Sequence, residues 1–206
     1  MKKLLLLIFL ISSFTYSQTT TKDGIQISVK KSKLVDNVSV FGIRQLKITN
    51  DKLRKVMIKT KIKSNANNKT KLSAFSLLDT KNNIRYRLAD YKGYRGIIGY
   101  PELIPRLKIE LFDKKGKPLE FAPIFDKTEK DYFNVFDIKG YRNLEIPINF
   151  GTKKVPNLSI VYFGETRYEK YTAELFFPLL VENINLEYVL FYKDEKISNI
   201  KFSQNN

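Results

Sequence analysis

Between Arg85 and Arg106 the chain interleaves guanidinium and phenol groups: Arg85-Tyr86-Arg87-Leu88-Ala89-Asp90-Tyr91-Lys92-Gly93-Tyr94-Arg95, with Tyr100 and Arg106 beyond. Aromatic rings stack on sugars or bases, and a guanidinium clamps carboxylate, sulfate or phosphate through two parallel hydrogen bonds. Gly93, Gly96 and Gly99 would let such a loop adapt to a ligand. The candidate ligand-binding set is therefore Arg85, Arg87, Tyr91, Tyr94, Arg95, Tyr100 and Arg106. The same residues also read as a strand with ordinary cross-strand packing at Tyr86, with Tyr94 and Tyr100 covering the open end of a β domain. A second aromatic and charged stretch, Tyr162-Phe163-Gly164-Glu165-Thr166-Arg167-Tyr168-Glu169-Lys170-Tyr171, reads as a binding turn or as a plain hairpin end.

Much chemistry is missing from this chain. It has no histidine and no cysteine, which removes Ser-His-Asp and Cys-His nucleophilic catalysis, imidazole or thiolate zinc sites, haem ligation and thiol redox. A glycosidase needs two carboxylates flanking a cleft, and 21 acidic residues offer many pairs without selecting one. No phosphate-binding or dinucleotide-binding glycine motif occurs; Gly93-Tyr94-Arg95-Gly96-Ile97-Ile98-Gly99 carries bulky apolar residues and reads as a flexible loop. Asp126, Glu129 and Asp131 lack the alternating oxygen ligands and turn glycine of a calcium loop. No catalytic residue, metal site or cofactor is assigned.

The elements that would position these groups are strands. Ile25, Ile27 and Val29 alternate with Gln26, Ser28 and Lys30, and in Val56 to Lys63 the residues Val56, Ile58 and Ile62 point one way while Lys59, Lys61 and Lys63 point the other. A one-residue slip would bury three lysines, so the register is fixed. Ser64 to Lys69 is a turn, and Leu72–Leu78 with Ile84–Leu88 form a hairpin around Asp79-Thr80-Lys81-Asn82-Asn83, with Ile84, Tyr86 and Leu88 on one face. Leu107, Ile109 and Leu111 alternate before a turn at Asp113-Lys114-Lys115-Gly116. A strand pair is expected at Leu144–Ile146 and Asn157–Phe163, around Gly151 to Pro156. Further strands follow at Ala173–Phe177, Leu186–Tyr192 and Ile197–Phe202, with a turn at Lys193-Asp194-Glu195-Lys196. Eight to ten strands joined by polar turns predict an all-β fold, two antiparallel sheets packed as a β-sandwich. The stretches 89 to 105 and 119 to 141 fit it poorly and read as long loops or short-helix insertions, with a helix-start signal at Asp126 to Asp131.

The segment Val56 to Thr70, followed by Phe75-Ser76-Leu77-Leu78-Asp79-Thr80-Lys81-Asn82-Asn83-Ile84-Arg85-Tyr86, resembles the immunoglobulin-like domains of small exported bacterial proteins. Leu144-Glu145-Ile146-Pro147, before Leu158-Ser159-Ile160, is similar to their closing hairpin. The resemblance covers about half of the chain beyond residue 17 and departs from the pattern by carrying the long 89 to 141 region between its halves. It implies a non-catalytic, extracytoplasmic immunoglobulin-like β-sandwich and brings no site residues with it.

The first 17 residues, MKKLLLLIFLISSFTYS, pair two lysines with an apolar run from Leu4 to Ile11 and end in small and polar residues. That run is well short of the roughly 20 residues of a membrane span, so it reads as a signal peptide cleaved after Ser17. Residues 18 to 206 are then a single exported domain, periplasmic or extracellular, with no transmembrane segment. Loss of Lys2 and Lys3 lowers the formal charge from +16 to +14. Such a chain is drawn to an anionic glycan, a lipid head group or an envelope protein, with no specific nucleic acid partner, unless the lysines serve solubility alone. The leading function is a non-catalytic binding module of the bacterial envelope. The alternatives are an envelope polysaccharide hydrolase using paired carboxylates and a structural envelope subunit assembled through sheet edges.

Overall fold

The computed structural model describes residues 18–35, 52–94, 106–119, 124–126, 128, 130–152, 154–184 and 187–202. These form fifteen strands: β1 (Gln18–Thr20), β2 (Gln26–Val35), β3 (Leu53–Lys63), β4 (Phe75–Asp79), β5 (Ile84–Arg87), β6 (Asp90–Tyr94), β7 (Arg106–Leu107), β8 (Ile124–Phe125), β9 (Arg142–Leu144), β10 (Ile148–Asn149), β11 (Leu158–Ser159), β12 (Val161–Tyr162), β13 (Lys170–Leu180), β14 (Glu187–Tyr192) and β15 (Glu195–Lys201). Two 3-10 turns, Leu72–Ala74 and Val181–Asn183, are the helical elements among the described residues, and no helix there is long and apolar enough to cross a membrane. The architecture is all-β, with several mostly antiparallel sheets and no barrel.

The alternation in Val56 to Lys63 places β3 at the centre of a first five-stranded sheet, ordered β1-β2-β3-β13-β6. β3 and β13 pair antiparallel over eleven residues, from Lys170 opposite Lys63 to Leu180 opposite Leu53. The register sets Tyr171, Leu175 and Phe177 beside Ile62, Ile58 and Val56, all buried on one face. On the opposite face Lys61 and Lys63 are exposed, while Lys59 is half-buried beside Glu174 at 3.8 Å. Met57 and Phe176, which also face away from the main core, pack with Ala89 in a small second cluster.

The second five-stranded sheet is ordered β15-β14-β4-β5-β9. Its two hairpins follow from turn chemistry. Asp79 Oδ1 accepts the backbone N–H groups of Lys81 and Asn82, both at 3.0 Å, and Asn83 takes the left-handed backbone (φ 54°) that Asn tolerates. Lys193, at φ 56°, turns β14 into β15. Leu77, Ile84, Tyr86, Leu88, Tyr188, Leu190 and Tyr192 of this sheet or its flanks join Ile27, Val56, Ile58, Leu175 and Phe177 of the first in one hydrophobic core. Between β5 and β6 the chain passes from one sheet to the other in two residues, Leu88-Ala89, and the Ala89 N–H bonds the Phe176 carbonyl at 3.0 Å. Hydroxyls of Thr19 and Ser32 donate to the carbonyls of Ile197 (2.7 Å) and Lys201 (2.8 Å), tying the β1–β2 side of one sheet to β15 of the other.

Three expectations are corrected. The strand predicted at Leu107, Ile109 and Leu111 stops at Leu107: the chain bends at 108–109, leaving Leu107 and Leu111 buried but Ile109 62% exposed. The Lys108 ammonium is drawn to two carboxylates, and the Ser159 hydroxyl takes over the ladder by accepting from the Ile109 N–H and donating to its carbonyl (3.2 and 3.1 Å). The helix start at Asp126 to Asp131 makes its first capping bond, Thr128 N–H to Asp126 Oδ1 at 2.9 Å, yet the described residues that follow, 130–136, form turns rather than a helix. Asp131 is pulled instead toward Arg87. The pair expected at 144–146 and 157–163 is broken into short strands: β10 pairs with β11, while β9 adds in parallel to β5.

Candidate functional site

Two places on this frame gather chemistry. The first lies on the face of β5 turned away from the core. Period two puts Arg85 and Arg87 on that face, opposite Leu78 and Ser76 of β4, and the segment 131–145 folds across it. Arg87, only 3% exposed, donates from Nη1 and Nη2 to the two Asp131 oxygens at 2.8 and 2.7 Å, and from Nε to Glu145 Oε1 at 3.1 Å. Lys108 donates to both Glu145 oxygens (2.9 and 3.0 Å) and lies 3.2 Å from Asp131. The ring of Phe133, fully buried, lies 4.0 Å from the Arg85 guanidinium carbon and 4.4 Å from that of Arg87.

The electrostatics of the two arginines differ. Burial works against the charged forms of Asp131 and Glu145, but Arg87 and Lys108 more than offset it and hold both carboxyls below the ordinary carboxylate range. Arg85 is fully buried, and burial lowers its guanidinium to about 10, with Asp137 opposing that shift and Arg87 adding to it. Its Nη1 reaches Asn143 Oδ1 at 3.4 Å, and its Nε and Nη2 have no hydrogen-bond partner.

The remaining residues of the predicted set scatter. Tyr91 is buried in the core, its ring edge-on to Phe163 at 5.1 Å. Arg106, on β7, pairs with Asp126 at 3.3 Å. Tyr94 ends β6, and Arg95 and Tyr100 lie outside the described residues. The structure thus brings Arg85 and Arg87 together under the 131–145 segment and sets Tyr91 and Arg106 apart from them. The stretch 162–171 is anchored rather than free: the Tyr162 hydroxyl donates to the Asp126 carbonyl at 2.7 Å, and the Thr166 N–H to Thr70 O at 2.8 Å. Among the described residues no group of three or more His, Cys, Asp or Glu is placed to hold a metal ion.

The second place was not singled out from the sequence. Two hairpin tips lie side by side, joined by the Asn157 side-chain amide donating to the Phe112 carbonyl at 2.9 Å. In one, Asp113 Oδ1 accepts the N–H groups of Lys115 and Lys117 (both 2.8 Å), Phe112 bridges Pro118, and Gly116 takes φ 75°. In the other, Asn149 Oδ1 accepts from the Gly151 and Asn157 N–H groups (both 2.9 Å) and Thr152 Oγ1 from Val155 N–H (3.0 Å). Gly151 is required there, because a Cβ at that position would sit 2.3 Å from the Val155 carbonyl oxygen. These bonded tips display Ile109 (62% exposed), Phe112 (47%), Val155 (46%) and Leu158 (49%) beside the exposed Lys114, Lys115, Lys117 and Lys154. The signal in the sequence was the lysine pairing at both turns, next to Ile109, which alternation had grouped with Leu107 and Leu111 on one strand face.

The chain matches no protein-family model, and no curated protein and no solved structure is significantly similar to it.

Proposed function

We propose that this protein is an exported, non-catalytic interaction module of the bacterial envelope, an immunoglobulin-like β-sandwich that engages an anionic surface. The observation that carries the reading is the division of its charges. The half-buried carboxylates Asp131 and Glu145 are satisfied within the fold by Arg87 and Lys108, whereas many lysines stand exposed on turns and strand faces. A net positive protein whose interior charges close on each other presents its excess outward, where it draws polyanions. The sandwich reading is supported by two five-stranded sheets sharing one core.

The hydrolase alternative needs one carboxyl held protonated and a second ionised across a cleft. Asp131 and Glu145 are close enough to share Arg87 and Lys108, but both are held ionised, so neither serves as a proton donor at neutral pH. The test is expression with the leader intact in a bacterial host, followed by fractionation and chromatography on immobilised heparin. The expected result is a product beginning at Gln18 outside the cytoplasm, retained by heparin and released by salt. An uncleaved cytoplasmic product would overturn export, and flow-through at low salt would overturn engagement of anions.

A further inference from the structure

We infer that the paired hairpin tips, one at 109–118 and the other carrying Val155 and Leu158, form a docking surface for an anionic lipid bilayer, with Phe112, Ile109, Val155 and Leu158 entering the interface and the exposed Lys114, Lys115, Lys117 and Lys154 meeting head groups. The inference rests on the anionic-surface reading above and adds to it the place, the mode and the kind of surface. Four large apolar side chains, each 46% to 62% exposed, stand on the two joined hairpins. They are held out by structure: the Ser159 hydroxyl fixes the Ile109 backbone, Asn157 joins the tips, and each turn is capped by its own Asp113 or Asn149 carboxylate or amide. Little ordering entropy is then lost on docking.

Charge complementarity selects the occupant. Lys114, Lys115, Lys117 and Lys154 are exposed around the apolar residues and make no ion pair among the described residues. Two acidic neighbours, Glu110 and Asp113, are also exposed, with Asp113 hydrogen-bonded in its own turn, so the four lysines outnumber the carboxylates beside them. Apolar side chains ringed by lysines match the boundary between acyl chains and acidic head groups. Four exposed apolar side chains on two hairpin ends suit shallow insertion into a fluid surface.

The chain contains no tryptophan, so Phe112→Trp creates a single emission probe at the tip. The experiment is co-sedimentation and emission with vesicles of phosphatidylcholine alone, and with phosphatidylglycerol replacing about a third of it. The expected result is binding to the acidic vesicles only, with a blue shift of the Trp emission. Lys114→Ala, Lys115→Ala and Lys117→Ala together should weaken binding about a hundredfold, roughly fivefold for each lysine. Ile109→Ser with Phe112→Ser should weaken it about tenfold or more while leaving the unfolding midpoint unchanged, since both are already exposed. Lys61→Ala with Lys63→Ala, on the exposed face of β3 and outside both hairpins, should change it little. Vesicle binding without a blue shift, or with tip variants as tight as the parent, overturns the docking surface while the anionic-surface reading stands. Heparin binding without vesicle binding has the same meaning. A blue shift that grows with protein concentration and needs no lipid also overturns it, assigning the tip to a second copy of this chain. Loss of binding to both heparin and acidic vesicles overturns the underlying reading as well.

Discussion

Two arginines two residues apart on one strand face should respond to the same substitution with opposite signs. Arg87→Met removes a 3% exposed guanidinium that donates twice to Asp131 and again to Glu145. Breaking a buried ion pair by deleting one partner costs roughly 3–5 kcal/mol, because the other charge stays behind. Here the abandoned carboxylates keep Lys108 and some solvent, with side-chain exposures of 16% and 26%, so the lower end, about 3 kcal/mol, is expected. Arg85→Met removes a guanidinium that is fully buried, with two nitrogens unpartnered and its pKa brought down to about 10. Holding it charged at neutral pH costs about 3 kcal/mol, against which stand a long bond to Asn143 and its stacking on Phe133, together worth about 1–2 kcal/mol. The substitution should therefore stabilise the protein by about 1 kcal/mol. Urea unfolding of both variants and of the double variant at neutral pH reads these values directly. A loss of about 2 kcal/mol or more from Arg85→Met would refute the argument, as would an Arg87→Met protein within about 1 kcal/mol of the parent.

Two further outcomes follow from the same geometry. Asp131 and Glu145 have folded-state pKa values below their unfolded ones, so their contribution is fully present above the ordinary carboxylate range and is lost as pH falls through the lower folded values. Urea midpoints measured from neutral to acid pH should drop below about pH 4, and the double variant Asp131→Asn, Glu145→Gln should show a shallower drop; equal slopes would sink the assignment. Gly151→Ala places a Cβ 2.3 Å from Val155 O and 2.9 Å from the Asn157 nitrogen, so the loop must open. Faster hydrogen exchange is expected at Asn157 and Phe150, whose N–H groups are bonded within this hairpin, with core amides of β3 and β13 unaffected.

The sheet framework was legible because its signals are local. Val56, Ile58 and Ile62 alternate with lysines, and Asp79 with Asn83 marks a hairpin, so β3, β4 and β5 follow from spacing and turn chemistry. The candidate site was legible only as residue types. Period two correctly sets Arg85 and Arg87 on the face away from Tyr86, and that face would normally meet water. What buries them is the segment 131–145, more than 40 residues away along the chain, and no local pattern announces such a cover. The nearest hint is Asp131-Tyr132-Phe133-Asn134-Val135-Phe136, an acidic residue leading an aromatic run, which suits a segment lying on two guanidinium groups.

Ile109 shows where alternation fails and why the failure has a physical cause. By sequence Leu107, Ile109 and Leu111 are equivalent members of one strand face, and each truncation to serine should then cost about the same, roughly 2–5 kcal/mol. In the fold, Lys108 is held by Glu145 and Asp131, the chain bends, and the Ser159 hydroxyl replaces the ladder at residue 109. Leu107 is 1% exposed and Leu111 6%, but Ile109 is 62% exposed. Leu107→Ser and Leu111→Ser should therefore each cost about 3 kcal/mol, while Ile109→Ser should lie within about 0.5 kcal/mol of the parent. Equal losses at all three positions would restore the continuous strand, remove Ile109 from the tip and take the largest apolar exposure away from the docking surface. Unequal losses mean that the strand face ends at Leu107 and that Ile109 faces outward where the chain bends beside the ion pairs of Lys108 with Glu145 and Asp131.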